Sequence, residues 1–313
     1  MPERTGGKND MQVGMLFPGQ GSQFVGMGKD YYDTFAEARD VYREANEALG
    51  FDITGLSFSG DMEELTRTKN AQPAILLHSM VILRVLETRG VHPGMVAGHS
   101  LGEFSALVAA GVFRPTDALK VVRRRGELMY DAGVKRPGTM AAIIGMDEPG
   151  VEACVRDAGG TVVVANYNSP GQYAISGDVD AVDRACALCK ERGAKRALKL
   201  PVSGAFHSPL MEPAVSEFRD FLATFPAGEL RVPWVANVTG DVVTDSDAVQ
   251  DLLSRQLSSP VQWTRSMRVF AERGPATIYE VGPGAVLAGL MKRIVNGCGV
   301  VSLSSVETIP AGA

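Results

Sequence analysis

The sequence predicts an α/β fold: a mostly parallel sheet covered by helices, a hydrolase-like core with a serine elbow, and an inserted ferredoxin-like βαββαβ subdomain. Three observations carry this. Short apolar runs that end in glycine-rich turns alternate with long helical patterns, the signature of a parallel sheet built from strand–helix units. One of those turns, Gly98-His99-Ser100-Leu101-Gly102, has the G-x-S-x-G spacing of a nucleophile elbow. Between Thr139 and Leu200 the order changes to strand, helix, strand, strand, helix, strand. The expected division is a large α/β domain over residues 11–136 and 204–313, a small ferredoxin-like subdomain over 137–203, and a disordered tail over 1–10.

Taken in order, Gln12 to Phe17 reads as a strand that runs into Pro18-Gly19-Gln20-Gly21-Ser22-Gln23 and then a helix from about Met27 to Leu49. The loop lacks the lysine of a P-loop and the spacing of a dinucleotide fingerprint. Gln20 sits at a strand's C-terminal end, where open α/β sheets place ligands, although a solvated loop amide fits the local pattern equally. Asp61 to Leu65 reads as a short helix. Pro73 opens a long apolar helix to Arg89, with proline in its first turn. Met95-Val96-Ala97 is the strand before the elbow, and Leu101 to Val112 a small-residue helix after it.

Pro115 starts a helix to about Asp131. Its apolar positions Leu119, Val122, Leu128 and Met129 mark the buried side, and Arg125 lies beside them, so it is the arginine of Arg123-Arg124-Arg125 expected to turn inward. The small subdomain follows: strands at Met140 to Ile144, Thr161 to Ala165, Tyr173 to Ser176 and Ala197 to Leu200, with helices at Pro149 to Ala158 and Val179 to Arg192. Asn166 to Gly171 reads as a loop. The large domain resumes with helices at Leu210 to Thr224, Ala248 to Leu257 and around Ser266 to Glu272. Strands are expected at Val232 to Ala236 and Thr277 to Val281. A helix from Ala285 to Asn296 and a strand near Gly299 to Leu303 close it.

Composition narrows the function. With 313 residues, 45% hydrophobic and 21% charged, the chain has the make-up of a globular protein with a sizeable core. A net charge of -5 argues against nucleic acid as the main partner. No apolar run approaches the roughly 20 residues that span a bilayer, so no membrane segment is expected. The polar N-terminus lacks a signal-peptide pattern, and a cytoplasmic, monomeric protein is expected. Cys186-x-x-Cys189 lies in a helical pattern without a second cysteine pair or clustered histidine, so Cys154, Cys186, Cys189 and Cys298 read as buried structural thiols and no metal is expected.

The elbow lifts the Ser100 hydroxyl above the sheet at a helix N-terminus, where unpaired N–H groups stabilise an oxyanion. Serine needs a base. Of the four histidines, His78 lies on a core helix, His92 in a loop before the strand, and His99 points away from Ser100 as its neighbour. His207, flanked by Gly204 and Pro209 at a domain junction, remains as the base. No acid between Ser100 and His207 sits in a strand-end loop, so a Ser-His dyad oriented by a backbone carbonyl is the expectation.

Six ordered motifs then carry a resemblance: Phe17-Pro18-Gly19-Gln20-Gly21-Ser22-Gln23, Gly98-His99-Ser100-Leu101-Gly102-Glu103, Arg125-Gly126, Gly204-Ala205-Phe206-His207-Ser208, Arg255-Gln256-Leu257 with Pro260-Val261-Gln262-Trp263, and Glu280-Val281-Gly282-Pro283-Gly284. From about Gln12 to Leu303 the chain resembles the malonyl-CoA:acyl carrier protein transacylases and the free-standing acyltransferases of polyketide synthases. The resemblance implies that Ser100 is acylated with His207 as base, that the Gln256 backbone carbonyl orients the imidazole, and that the Gln20 and Leu101 N–H groups form the oxyanion hole. It implies that Arg125 pairs with the malonyl carboxylate, Met129 lines the acyl pocket and Phe206 disfavours an α-methyl branch. Malonyl-CoA and, transiently, an acyl carrier protein are the implied partners, with no cofactor beyond what they carry. Exposed basic residues should meet an acidic carrier, with Arg123, Arg124, Lys195 and Arg196 as candidates.

Two other readings compete. An α/β-hydrolase thioesterase or esterase should show a loop acid and a histidine near the C-terminus, whereas the last histidine here lies over 100 residues from the end. It also leaves Arg125 and the inserted subdomain without a purpose. A non-catalytic docking subunit has no use for intact Ser100, His207 and Arg125.

Overall fold

The computed structural model describes residues 13–311, so the expected tail over 1–10 lies outside the described residues. The chain opens with β1 (Val13–Phe17), α1 (Lys29–Thr34), α2 (Ala36–Leu49), α3 (Ile53–Ser59), α4 (Met62–Thr66) and α5 (Thr68–Glu87). It continues with β2 (Met95–Gly98), α6 (Gly102–Ala109) and α7 (Pro115–Lys135). The inserted unit is β3 (Gly138–Ile144), α8 (Glu148–Ala158), β4 (Val162–Ser169), β5 (Gln172–Asp178), α9 (Val179–Glu191) and β6 (Arg196–Lys199). The chain returns through α10 (Glu212–Leu222), β7 (Trp234–Val235), β8 (Val242–Val243), α11 (Val249–Gln256), α12 (Trp263–Glu272), β9 (Thr277–Glu280), α13 (Val286–Ile294) and β10 (Val301–Ser302).

The larger sheet has the order β10-β9-β1-β2-β7-β8, parallel throughout except for the short antiparallel β7–β8 pair at one edge. Its central strands are apolar on both faces because helices cover both. Met15, Phe17 and Val96 turn to the core under α5, α6 and α7, while the alternate Leu16, Met95 and Ala97 meet Trp263, Phe270 and Leu287 from α12 and α13. The smaller sheet has the order β4-β5-β3-β6, antiparallel throughout, which is the ferredoxin-like arrangement. Ala141, Ile143 and Ile175 face α8 and α9 in their own core, whereas Met140 and Ala174 face the large domain.

The two units are also joined away from the covalent crossings. Asn166 forms a parallel bridge with Val261; the Tyr167 N–H donates to the Val261 carbonyl at 3.0 Å and the Val261 N–H to Ala165 at 2.8 Å.

Four expectations are corrected. The helix expected over Met27 to Leu49 is broken at Phe35, whose extended backbone lets its ring pack on Tyr31 and under the Arg89 guanidinium. Pro73 does not open α5 but lies inside it. The Lys69 carbonyl, which a residue-73 N–H would normally engage, accepts from Arg123 at 3.1 Å instead, so the missing donor costs little. The segment from Asn166 read as a loop is instead strand with register irregularities, and β4 and β5 meet in a tight turn at Pro170-Gly171. Cys154 and Cys189 are buried as expected, but Cys186 and Cys298 are only half-buried.

His78 lies in the core beside Tyr31, with 1% of its surface exposed and no partner for either ring nitrogen among the described residues. Burial pushes its pKa down to about 4. The unfolded chain therefore binds a proton there between about 6.5 and 4 that the folded chain refuses, and stability falls as pH falls through that window. Chemical denaturation from pH 6.5 to 4 should show a slope that flattens in His78→Leu by up to about 1.4 kcal/mol per pH unit. An unchanged slope would place the acid sensitivity elsewhere.

Candidate active site

The elbow is built by close approach. A Cβ on Gly98 would overlap the Gly102 carbonyl, and one on Gly102 would overlap the Phe17 carbonyl, so only glycine lets α6 pack directly behind β1 and β2. Between them Ser100 takes a left-handed backbone, φ 50°. Such a conformation costs on the order of 1–3 kcal/mol for a non-glycine residue and must be held from outside.

Two side chains hold it. Asn237, just beyond β7, accepts the Ser100 N–H at 2.7 Å and donates to the Gly98 carbonyl at 2.7 Å. Gln256, the last residue of α11, donates its side-chain amide to the Ser100 carbonyl at 2.8 Å. The Ser100 N–H, Ser100 carbonyl and Gly98 carbonyl are thus each engaged.

The Ser100 hydroxyl lies 2.7 Å from His207 Nε2. His207 also has a left-handed backbone, φ 57°, and its Nδ1 lies 2.8 Å from the Gln256 carbonyl. A carbonyl only accepts, so Nδ1 carries the proton and Nε2 presents a lone pair to the serine. Burial first, and the Arg125 charge second, push the His207 pKa down to about 3, so the imidazole is neutral and ready to take a proton. His99 is engaged elsewhere: its Nε2 lies 2.8 Å from Asn168 Oδ1 and its ring packs edge-on against Trp263.

Arg125 turns inward from α7 and is 1% exposed. A Cβ on the next residue, Gly126, would stand 2.7 Å from Lys69 Cα, so that glycine lets α7 pack close to α5, which carries Gln72. Arg125 donates to Gln72 Oε1 at 2.7 Å, to Gln256 Oε1 at 2.7 Å and to Ser100 Oγ at 3.2 Å. Burial lowers its pKa to about 10, which leaves it charged at neutral pH. No carboxylate pairs with it directly among the described residues.

These groups border a cleft of about 270 Å³ between the two sheets. Gln20, Leu101, Arg125, Met129, Phe206 and His207 line it beside Ser100, and Met140 and Ala174 of the small sheet form its roof. Gln256 lies behind the wall, fully buried. The Gln20 and Leu101 N–H groups donate to no protein acceptor among the described residues. A Cβ on Gly19 would stand 2.5 Å from the His99 carbonyl, so this glycine lets the Gln20 loop lie against the elbow.

Glu103, Asn237 and Gln72 were not singled out from sequence. Each carried a usable signal: an acid in the first turn of a small-residue helix, an asparagine at a parallel strand's C-terminal end, and a glutamine inside an apolar helix. Glu103 is 1% exposed; Oε1 accepts the Asn237 N–H at 2.7 Å and Oε2 accepts from the Gln256 amide. Burial pushes its pKa up, against the pull of those donors and of Arg125, and with both oxygens accepting from N–H groups the geometry is that of the ionised carboxylate. Of the candidate carrier contacts, two are engaged within the chain. Arg123 is spent on Glu127, Lys69 and Asn70, and Arg124 on Glu127 and Glu217. Lys195 and Arg196 are exposed. No group of three or more His, Cys, Asp or Glu side chains able to hold a metal occurs among the described residues.

Known proteins resemble this chain over nearly its whole length. The family model described as acyl transferase domain matches residues 15–310. The malonyl CoA-acyl carrier protein transacylase of Bacillus subtilis is 44% identical over 95% of this chain and 95% of its own length. That of Escherichia coli K12 is 47% identical over 91% of this chain and 93% of its own. A crystal structure of an acyl carrier protein S-malonyltransferase from Vibrio cholerae superposes with a TM-score of 0.91 at 44% identity, covering 95% of this chain and 98% of that one. A type II polyketide synthase acyl carrier protein in complex with its malonyl-transacylase gives a TM-score of 0.91 at 40% identity, covering 95% and 97%.

Labelling of Ser100 by a fluorophosphonate should proceed at a nearly constant rate from about pH 8 to about pH 5, because His207 protonates only near its depressed pKa. An inflection near 6.5 would show an ordinary histidine. Asn237→Ala should slow the labelling and lower stability by about 1–3 kcal/mol, since it strands the Ser100 N–H and the Gly98 carbonyl.

Proposed function

This chain belongs to the acyl transferase domain family, and from that premise we propose its reaction: transfer of a malonyl group from malonyl-CoA to the phosphopantetheine thiol of an acyl carrier protein. It is an S-malonyltransferase that supplies extender units for fatty acid or polyketide synthesis. The observation that carries the substrate choice is a buried guanidinium with no direct carboxylate partner among the described residues, within 3.2 Å of the nucleophile.

The steps follow from the geometry. His207 Nε2 takes the Ser100 proton as Oγ attacks the thioester carbonyl. The charge on the carbonyl oxygen meets the Leu101 N–H at the α6 N-terminus and the Gln20 N–H of the loop after β1. The thiolate of coenzyme A leaves, taking the proton from His207, and malonyl-Ser100 remains. The carrier's thiol then attacks with His207 again as base, and Ser100 is regenerated.

Arg125 pairs with the malonyl carboxylate at the far end of the acyl group. A planar guanidinium suits that carboxylate, and an acetyl group would leave the charge buried without a partner, so the same residue attracts one substrate and rejects the other. Met129 lines the acyl pocket, and the Phe206 ring crowds an α-methyl branch. No resident cofactor takes part, since coenzyme A and phosphopantetheine arrive with the substrates. The reaction is assigned to the cytoplasm, in keeping with free thiols and with no helix among the described residues long and apolar enough to cross a membrane.

Intact-mass spectra after mixing with malonyl-CoA should show one malonyl adduct, absent from Ser100→Ala and discharged by an acyl carrier protein. Steady malonate release without an adduct would indicate a hydrolase, and neither signal would indicate a docking subunit. Arg125→Ala should lower kcat/KM for malonyl-CoA by about 100-fold or more, the usual effect of removing one partner of a buried charge pair. Phe206→Ser should raise the methylmalonyl-to-malonyl ratio by about tenfold.

A further inference from the structure

We propose that Glu103 is a positioning residue that sets the preference for malonyl over acetyl groups by fixing the Gln256 side-chain amide toward Arg125. The inference rests on the transacylase reading and adds a residue to it. Glu103 touches neither Ser100 nor His207 through its side chain. Its carboxylate is divided between the Asn237 backbone N–H, at 2.7 Å from Oε1, and the Gln256 amide nitrogen at Oε2.

The Gln256 amide has no freedom left. Its two N–H donors are used by the Ser100 carbonyl at 2.8 Å and by Glu103, and its oxygen accepts from Arg125 at 2.7 Å. Rotating the amide by half a turn would set its oxygen against the Ser100 carbonyl and the Glu103 carboxylate. It would also turn an NH2 group toward the guanidinium. Every one of those contacts is repulsive, so the carboxylate selects a single orientation. Arg125 thereby gains an acceptor at one nitrogen to match Gln72 at the other, and its buried charge senses Glu103 through one intervening amide.

Glu103→Gln is nearly the same shape and reverses this logic. With its oxygen still accepting from Asn237, its NH2 faces the Gln256 NH2. The conflict is relieved only if Gln256 flips, and the flip takes the acceptor away from Arg125. The guanidinium is then displaced from the position that receives a carboxylate, a loss that falls on a carboxylate-bearing substrate in addition to the loss at the Ser100 carbonyl that both substrates share.

The test is single-turnover acylation of Ser100 by malonyl-CoA and by acetyl-CoA, followed by intact mass, with thermal unfolding recorded for each variant. Glu103→Gln is expected to lower the malonyl-to-acetyl rate ratio by about tenfold or more, chiefly through the malonyl rate. Glu103→Asp, which keeps an acceptor, should retain more of the ratio even if it is less stable. Equal losses for both substrates, or no change in the ratio, overturn the proposal and leave Glu103 a purely structural residue. If Glu103→Gln does not fold, Gln256→Met removes the same relay from its other end and must lower the ratio alike; a wild-type ratio there overturns it. A wild-type protein that takes no malonyl group on Ser100 would instead defeat the transacylase reading itself.

Discussion

The backbone at Ser100 is held in a conformation that a serine does not choose, and segments far apart in the chain are needed to keep it there. Gly98 and Gly102 remove the side chains that would block the turn. Asn237, more than a hundred residues later, clasps the peptide on one side, and Gln256 clasps it on the other. The large sheet brings them together: β7 lies directly beside β2, so Asn237 emerges next to the elbow. The same Gln256 orients His207 through its own carbonyl. One residue thus touches both the nucleophile's backbone and the base, and a backbone carbonyl stands on the imidazole where a carboxylate otherwise could.

Electrostatics in the cleft turn on a single buried cation. Arg125 sits near both the nucleophile and the base, and its charge adds to burial in keeping His207 unprotonated. A normal histidine pKa would serve catalysis at neutral pH, but the depressed one keeps the whole population in the basic form. The cost is a guanidinium among neutral amides and a hydroxyl rather than carboxylates. On the proposed reading a substrate bearing its own carboxylate supplies what is missing, and binding and selectivity then share one physical origin.

Much of this architecture was legible in the sequence because it rests on local chemistry. The glycine spacing at 98 and 102, the glycine-rich loop after β1 and the changed element order after Thr139 each have a short-range cause. What escaped depends on contacts between distant segments. The break at Phe35 exists because its ring packs on Tyr31 and Arg89. Pro73 is tolerated inside α5 because Arg123 reaches the free Lys69 carbonyl from another helix. Asn166 to Ser169 looks like a polar loop and is strand because Val261 and Thr264 supply partners for its backbone. Asn237 and Glu103 were passed over because the partners that give them a role lie more than 130 residues away in the chain, so their local signals pointed to nothing specific.

The bridge between Asn166 and Val261 has a mechanical consequence. A subdomain tied by two covalent crossings alone would swing like a door about that edge, over the cleft beneath it. This one is pinned along a further line, because β4 is laced to the segment just before α12. That segment follows Gln256 by only a few residues, so the pin and the acceptor of His207 share a short stretch of chain. Lifting the roof at β4 would pull on the support of the catalytic base. The β4 side of the cleft is therefore a braced wall, while Leu200 to Val202, where the chain leaves the small sheet, line it without that bridge.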